Sequence, residues 1–294
     1  MLIARQGDAV VVQAPAKVNL FLEILARRSD GYHDIATLMM AVSLYDTLEF
    51  TKEDGDSIRL ICDDDSLPVG PENLICRAAE KLRGFAGGRL GARIHLSKRI
   101  PMAAGLAGGS TDAAATLAGL NLLWDLGRST DELARLGEEV GSDVPFFFSA
   151  PAAWCTGRGE KVEKVVPGRP IWLVIACPPV GLATAEVYRN GVVPLAPLDG
   201  GPIRRAFVAG DIDGVGRLLH NRLQEAADLL RPGLRKVKET LARSKPAGTQ
   251  MSGSGTSCFA LCRDRQEAFR VVDGLPRDQK KAELGRVYIV RSCV

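Results

Sequence analysis

A run of small residues in the middle of the chain is the feature best suited to chemistry. From Pro101 the sequence reads PMAAGLAGGST and passes directly into the alanine- and leucine-rich stretch DAAATLAGLN. A helix after such a loop offers unpaired N–H groups and about half a positive charge, and glycines let the backbone approach an anion closely. Ser110, Thr111 and Asp112 are each candidate caps for this helix. We interpret the passage as a phosphate-binding loop; the alternative is an ordinary helix start with small residues for tight packing.

The loop does not match the best-known nucleotide motifs. The sequence has no G-x-x-x-x-G-K-[ST], and no G-x-G-x-x-G after a strand, which excludes a P-loop and a dinucleotide fingerprint. Because it also lacks H-R-D and D-F-G, it is not a protein kinase.

Three further features strengthen the phosphate interpretation. Lys17 is the cation of the apolar segment APAKVNLFL, Asp143 lies among small residues and phenylalanines in GSDVPFFF, and Ser252–Gly255 forms a second glycine loop. Each also fits a simpler role: a solvated strand lysine, a capping aspartate and a plain turn. Together they fit phosphoryl transfer, in which the protein mainly positions groups and stabilises charge.

Hydrophobic periodicity and turn signals predict the elements that must position these residues. Strands are expected at 10–12, 17–24, 44–51, 57–62, 92–96, 171–177, 256–262 and 285–291, with a turn at 29–31. Helices are expected from N-cap Asn73 to Gly87-Gly88, after the glycine loop, from the capping box Ser129–Glu132 to near Gly141, and over 203–208, 214–230, 234–243 and 266–275. Helices packed on largely antiparallel sheet predict an α+β fold.

Composition excludes several classes of protein. A chain of 294 residues can bury a sizeable core, and 38 basic against 35 acidic residues give no excess that would indicate nucleic acid. Three histidines and seven cysteines, none of them in a C-x-x-C pair, indicate neither a zinc site nor a disulfide framework. Because no apolar stretch could span a bilayer and no secretory signal is present, we expect a reduced, cytoplasmic protein with no membrane partner. A domain boundary is expected near residues 150–160.

Five segments together carry a resemblance to a known family. They are APAKVNLFLEILARRSDGYHDIATLM, PENLICRAA, PMAAGLAGGSTDAAATLAGLN, GSDVPFF and MSGSGTSCF, in order from Ala14 to Phe259. The set resembles the GHMP kinases, the superfamily of galactokinase, homoserine kinase, mevalonate kinase and phosphomevalonate kinase. The resemblance implies a two-domain GHMP-kinase-like fold with the active site in the cleft between domains. Residues 1–155 would form an N-terminal ATP-binding domain with the catalytic residues, and 156–294 a C-terminal substrate-side domain.

The run R-x-D-G-Y-H-D at Arg28–Asp34 narrows the resemblance to the branch that acts on a cytidyl substrate. It implies an ATP-dependent kinase that phosphorylates the 2-hydroxyl of 4-diphosphocytidyl-2-C-methyl-D-erythritol in the non-mevalonate route to isoprenoids. Magnesium would bridge the ATP phosphates, and the resemblance names no protein ligand for it. The partner would be this small molecule and no nucleic acid, and the chain is expected to be a monomer or a homodimer.

Two alternatives stay open. One is another kinase of the superfamily, acting on a mevalonate- or homoserine-like alcohol; the Tyr32-His33 pair argues against it. The other is a non-catalytic nucleotide-binding regulator on the same fold. Lys17 and Asp143 argue against the regulator, because a sensor does not need a base.

The resemblance also implies roles for single residues. Asp143 would accept the hydroxyl proton, and Lys17 would keep that carboxylate ionised and offset charge on the transferred group. The residues implied for ATP are Pro101, Met102, Ala103, Ala104, Gly105, Leu106, Ala107, Gly108, Gly109, Ser110 and Thr111, with Asn73 and Lys98 at the adenine. Those implied for the substrate are Asn19, Tyr32, His33, Thr184 and Tyr188, and Gly253, Ser254 and Gly255 form a supporting loop.

Two of these residues also fit a purely structural role. Asn73 is an equally good N-cap and Tyr32 a possible core residue, while His95 and His220 are interpreted as structural. The sequence also departs from the family at Ala103, Ala104 and Ala107, where the family's loop carries more glycines. A positive φ is costly for alanine, so the sequence does not determine whether this loop keeps the backbone conformation that glycines would allow.

Overall fold

The computed structural model describes residues 1–87, 89–149, 151–276 and 283–293. Gly88, at the predicted end of the first helix, lies outside the described residues. The strands are β1 (Leu2–Gln6), β2 (Ala9–Arg27), β3 (His33–Glu53), β4 (Ile58–Cys62), β5 (Gly91–Ser97), β6 (Ala152–Gly157), β7 (Lys161–Lys164), β8 (Trp172–Cys177), β9 (His220–Asn221), β10 (Gly248–Met251), β11 (Cys258–Cys262) and β12 (Arg286–Arg291). The helices are α1 (Leu74–Ala86), α2 (Gly108–Leu123), α3 (Thr130–Glu138), α4 (Phe146–Ser149), α5 (Thr184–Asn190), α6 (Gly201–Ala209), α7 (Ile212–Arg217), α8 (Gln224–Leu230), α9 (Gly233–Ala242) and α10 (Arg265–Asp273).

The chain forms two compact units that alternate along the sequence. The first contains Met1–Ala16, Leu44–Ile100 and Ala107–Ala150, and the second contains Lys17–Ser43, Pro101–Leu106 and Pro151–Val294. Neither unit is one continuous segment, because β2 and β3 each contribute residues to both. The assignment of ATP binding to 1–155 and of substrate binding to 156–294 stays a prediction.

Helix α2 forms the centre of the first unit. Its residues from Thr111 to Leu117 are all buried, which is typical of a helix that is apolar on every side. Around it, β1 pairs antiparallel with β2, β3 pairs antiparallel with β5, and β4 runs parallel to β5. Helix α3 begins with the predicted capping box, in which Ser129 and Glu132 each accept a backbone hydrogen bond from the other.

The second unit contains a four-stranded antiparallel sheet in the order β10-β11-β8-β12. It also contains the pairing of β3 with β6 and of β6 with β7, both antiparallel, and the short parallel pair of β2 with β9. Its core is formed by residues such as Leu22, Val174, Leu223, Val237 and Ala260. Helices packed on largely antiparallel strands confirm the α+β prediction.

Two local predictions are wrong. Helix α2 begins at Gly108 with Ala107 as its N-cap, so Ser110, Thr111 and Asp112 lie inside the helix and none caps it. The reason is that Ala107, at φ 56°, already turns the chain into the helix. The predicted helix over 214–230 is instead α7, β9 and α8, because the backbone near Asn221 binds β2; Arg222 N donates to Leu22 O at 2.8 Å.

Within the described part of the chain, none of the helices combines the length and the apolar character that crossing a bilayer would require.

Candidate active site

Lys17 lies on β2 in the second unit, and its side chain is almost completely buried. It is 4% exposed, its Nζ donates to Asn19 Oδ1 at 2.6 Å, and its backbone N donates to Leu106 O at 3.1 Å. Lys17 and Asn19 share a face of the strand, because alternate side chains point the same way. A buried ammonium is costly unless it is hydrogen-bonded or paired. The burial excludes the simpler interpretation of Lys17 as a solvated strand residue.

The two glycine loops meet beside this lysine. Ser252 Oγ donates to Gly105 O at 2.9 Å and accepts from Asn19 N at 3.3 Å. A Cβ on Gly105 would lie 2.1 Å from Ser252 O, and a Cβ on Gly253 would lie 3.1 Å from Lys17 Nζ. Both glycines also have positive φ. Only glycine fits at Gly105, whereas a side chain at Gly253 would crowd Lys17 and adopt a strained backbone.

Strand β9 supports the second loop from a segment that was predicted to be helical. Asn221 Nδ2 donates to Met251 O at 2.9 Å and to Gly253 O at 2.8 Å. The two residues beside Asn221 contact Glu23 instead. Arg222 donates to both carboxylate oxygens of Glu23, and His220 Nε2 lies 3.1 Å from Glu23 Oε2. Burial alone would raise the pKa of Glu23, but the hydrogen bonds from Arg222 and two backbone N–H groups hold it below its usual value.

The residues predicted for the substrate are linked by helix α5. Thr184 and Tyr188 lie four residues apart and so share a helix face. Thr184 Oγ1 is 3.0 Å from Ser254 Oγ in the second glycine loop, and the Tyr188 ring stacks on His33 with centroids 5.5 Å apart. Burial, together with the charge of Arg27, lowers the pKa of His33 and favours its neutral ring.

Tyr32 is 53% exposed, so it is not a core residue. The Arg158 guanidinium lies 5.1 Å from the centre of the Tyr32 ring, at the distance of a cation–π contact. Arg158 lies in the short turn between β6 and β7, and no pattern in the sequence indicates a functional role for it.

The remaining predicted residues of the first unit include Gly109 and Ser110, which lie at the start of α2. A Cβ on Gly109 would lie 3.3 Å from Leu74 Cδ1, at the start of α1, and a Cβ on Gly141 would lie 3.9 Å from Ser110 Oγ. Asp143 is half-buried in the turn between α3 and α4, two residues after Gly141. Asn73 is the N-cap of α1: it accepts from Ile75 N at 2.9 Å and donates to Pro68 O at 2.7 Å. The capping role of Asn73 is confirmed, and its role at the adenine stays a prediction.

Lys98 is bound by two carboxylates that the sequence analysis did not connect with it. Its ammonium contacts Asp46 and lies 3.1 Å from Asp112 Oδ2, and all three side chains are at most 5% exposed. Asp46 also accepts from Arg99 N at 2.6 Å and Ile100 N at 2.8 Å. Lys98 therefore ties the segment before the first glycine loop to the helix after it. Its predicted contact with adenine stays a prediction.

The cluster shifts the pKa values of Asp112 and Lys98. Burial, and beside it the charge of Asp46, raise the pKa of Asp112 to about 8, although Lys98 acts in the opposite direction. Burial would lower the pKa of Lys98, but the two carboxylates raise it. The neutral form of Asp112 leaves one ammonium facing one carboxylate.

Two of the three loop alanines adopt the conformation that favours glycine. Ala103 has φ 49° and Ala107 has φ 56°, whereas Ala104 is not among the residues with positive φ. The left-handed region costs an alanine about 1–2 kcal/mol. The loop thus keeps a glycine-like backbone in spite of the departure in sequence.

Comparison with known proteins gives the family. Residues 73–150 match the GHMP kinases N terminal domain and residues 203–281 match the GHMP kinases C terminal domain. A 4-diphosphocytidyl-2-C-methyl-D-erythritol kinase of Brevibacillus brevis is 39% identical over 270 residues, 90% of this chain and 92% of that protein. The chain belongs to the GHMP kinases. The kinase class and the fold predicted from the five segments are therefore confirmed.

Solved structures agree with this GHMP kinase assignment. A crystal structure of a 4-(cytidine 5'-diphospho)-2C-methyl-D-erythritol kinase has a TM-score of 0.79 and 32% identity, covering 97% of this chain and 99% of that one. A homoserine kinase from Cytophaga hutchinsonii has a TM-score of 0.75 at 18% identity, covering 100% and 97%, and shows the shared fold alone.

Patterns in the sequence of this GHMP kinase did not indicate several polar residues that hydrogen-bond to the predicted site residues. Each of them bonds a predicted site residue or its loop. They are Thr37, Asn221 and Asp46, together with Asp112, which was predicted only as a helix cap, and Ser252, which was predicted as part of the second loop without a role. All five are separated from their partners in sequence or lie inside ordinary strands and helices. No local spacing would have indicated these contacts.

The left-handed alanines predict a gain in stability on substitution by glycine. Ala103→Gly and Ala107→Gly should each raise the free energy of unfolding by about 0.5–1 kcal/mol, because relief of strain outweighs the added flexibility of the unfolded chain. Ala104→Gly is the matched control and should lower it by a similar amount. Urea unfolding measures all three, and a loss of stability in all of them would contradict the strain argument.

The raised pKa of Asp112 predicts a pH dependence of stability. The folded protein holds one more proton than the unfolded chain between about pH 4 and about pH 8, so stability from this group is full at low pH and is lost as pH rises through that window. In Asp112→Asn that dependence should disappear, and the free energy of unfolding should fall less between about pH 5 and about pH 8. The control is Asp8→Asn, at an exposed turn. Equal slopes for wild type and Asp112→Asn would show that Asp112 is ionised in the folded protein.

Proposed function

We propose that this chain transfers the γ-phosphoryl group of ATP to the 2-hydroxyl of 4-diphosphocytidyl-2-C-methyl-D-erythritol. The observation that carries the proposal is the buried Lys17 ammonium between two touching glycine loops, in the same unit as the stacked His33 and Tyr188 rings. Relatives of that name, with 39–40% identity over most of this chain, support the choice of substrate.

In this proposal Asp143 is the general base, and Lys17 stabilises negative charge. The acceptor hydroxyl gives its proton to the Asp143 carboxylate, and its oxygen forms a new bond to the γ-phosphorus. The bond from that phosphorus to the bridging oxygen of ADP breaks, and ADP leaves. Lys17 offsets the charge that gathers on the transferred oxygens, where a buried cation acts more strongly than in water.

The first glycine loop would hold the phosphates through backbone N–H groups, with the start of α2 adding its partial positive charge. Magnesium would neutralise the phosphate oxygens. Among the described residues, no three or more histidine, cysteine or acidic side chains group together as a metal site. This fits a magnesium ion whose ligands are mostly phosphate oxygens and water, as is usual for this ion in kinases.

The cytidyl end would lie against the residues around helix α5. A cytosine has a face that an aromatic ring can stack on and an edge that hydrogen-bonds. The exposed Tyr32 and the half-buried His33 and Tyr188 supply both kinds of group. The guanidinium of Arg158 beside Tyr32 adds a positive charge, which suits a substrate that carries a diphosphate. The cytoplasmic location and the monomeric or dimeric state stay predictions.

The choice of acceptor is tested by a coupled assay of ADP formation. The purified protein should turn over the cytidyl substrate with magnesium and ATP, and mevalonate or homoserine should react far more slowly. Preference for either of these would favour the first alternative. ATP binding without turnover of any acceptor would favour a regulator.

The base is tested in the same assay. Asp143→Asn should lower kcat by about 10²–10⁴, which is the usual contribution of general-base catalysis, with little change in ATP affinity. Asp131→Asn removes a charge from an exposed position of α3 and should keep normal activity. A near wild-type kcat in Asp143→Asn would remove this residue from the reaction.

The cytidyl site is tested by its aromatic residues. Tyr32→Ala and Tyr188→Ala should each raise the KM for the cytidyl substrate by about 10-fold or more, following the 1–3 kcal/mol of base stacking, with the KM for ATP nearly constant. Tyr188→Phe keeps the ring and should stay close to wild type. If the alanine variants instead melt at a lower temperature and affect both substrates equally, the tyrosines act in packing only.

A further inference from the structure

Thr37 forms the next link in the hydrogen-bonded chain that begins at Lys17. Asn19 Oδ1 accepts from Lys17 Nζ at 2.6 Å, and Asn19 Nδ2 donates to Thr37 Oγ1 at 2.8 Å. Thr37 Oγ1 in turn donates to Phe21 O at 2.6 Å. The three side chains are 4%, 2% and 0% exposed, so bulk water does not compete for these bonds.

The direction of every bond in this chain follows from the inventory of donors and acceptors. Phe21 O is a carbonyl and can only accept, so it takes the one hydrogen of the Thr37 hydroxyl. Thr37 Oγ1 must then accept from its other neighbour, and Asn19 must turn its NH₂ group toward it. The same orientation results from the other end, because a lysine ammonium only donates and requires the amide oxygen.

We propose that Thr37 is a positioning residue for phosphoryl transfer, which fixes the Asn19 amide so that its oxygen holds the Lys17 ammonium in place. The inference rests on the proposed function of Lys17. Asn19, predicted as a substrate residue, thereby acts on Lys17. Without the hydroxyl of Thr37, the buried Asn19 NH₂ group would lose this acceptor. The amide would then shift its position, and with it the oxygen that accepts from Lys17 Nζ.

The test compares two substitutions that differ in one group. Thr37→Val keeps the shape of threonine and removes the hydroxyl, whereas Thr37→Ser keeps the hydroxyl. We expect Thr37→Val to lower kcat about 10-fold, the effect of losing one buried hydrogen-bonding partner, while the KM values for ATP and the cytidyl substrate change less than about 2-fold. Thr37→Ser should restore most of the activity. Wild-type kcat in Thr37→Val, or no rescue by serine at an unchanged melting temperature, would overturn the proposal.

The Lys17→Met background separates this inference from the proposed function. Lys17→Met alone should lower kcat and kcat/KM together, and a variant with wild-type kcat would refute the role of Lys17 itself. Thr37→Val added to Lys17→Met should have no further effect, because the group that it positions is absent. An equal loss in both backgrounds would assign Thr37 to the stability of the fold and overturn the inference.

Two measurements keep the test decisive if turnover or folding fails. Nitrogen NMR of the lysine ammonium groups reports on the hydrogen bond of Lys17 without substrate. The Lys17 signal should persist in wild type and Thr37→Ser and broaden in Thr37→Val, and a sharp signal in Thr37→Val would overturn the proposal.

If Thr37→Val does not fold, Asn19→Leu breaks the hydrogen-bonded chain one step nearer Lys17. It should lower kcat with unchanged KM values, whereas a rise in the KM for the cytidyl substrate alone would assign Asn19 to the substrate.

Discussion

The contact between the two glycine loops is the constraint on which the surroundings of Lys17 depend. Gly105 and Gly253 have no side chains, and this lets Ser252 reach Gly105 O and Asn19 N while the second loop passes directly over Lys17. A methyl group at either glycine would meet backbone or the lysine at 2.1–3.1 Å, closer than real contacts allow at Gly105. The lysine can be buried because the loops close around it and its partners satisfy it.

A second constraint of the same kind organises the first unit. There a buried ammonium, Lys98, is held between Asp46 and Asp112, and Asp46 also binds the backbone that leads into the first loop. Removing Lys98 or Asp46 would leave an uncompensated buried charge, which is strongly destabilising. The raised pKa of Asp112 favours its neutral form, which reduces the net charge of the cluster. Within the first unit, Lys98 and Asp46 thus connect the chain that ends at Ile100 to helix α2.

The two clusters differ in what their lysines are bonded to. Lys98 faces carboxylates, which satisfy its charge, whereas the hydrogen bond described for Lys17 goes to a neutral amide. The amide oxygen of Asn19 accepts from the ammonium and helps to fix its position. Lys98 anchors the chain within the first unit, whereas Lys17 is proposed to stabilise charge during phosphoryl transfer.

The sequence by itself determined the fold class, the family and the loops, because these depend on local patterns. Asn73 and the Ser129–Glu132 box cap their helices as predicted, and the motifs from Ala14 to Phe259 identified the GHMP kinases. Tertiary structure decided the rest. Asn221 fell in a predicted helix because its binding to β2 and to the 251–253 backbone is long-range, and Thr37 and Asp46 acquire their roles only where distant strands bring them beside a buried lysine or its partner. The need to satisfy a buried polar group is met by whichever residue the fold brings near, and sequence spacing does not record that residue.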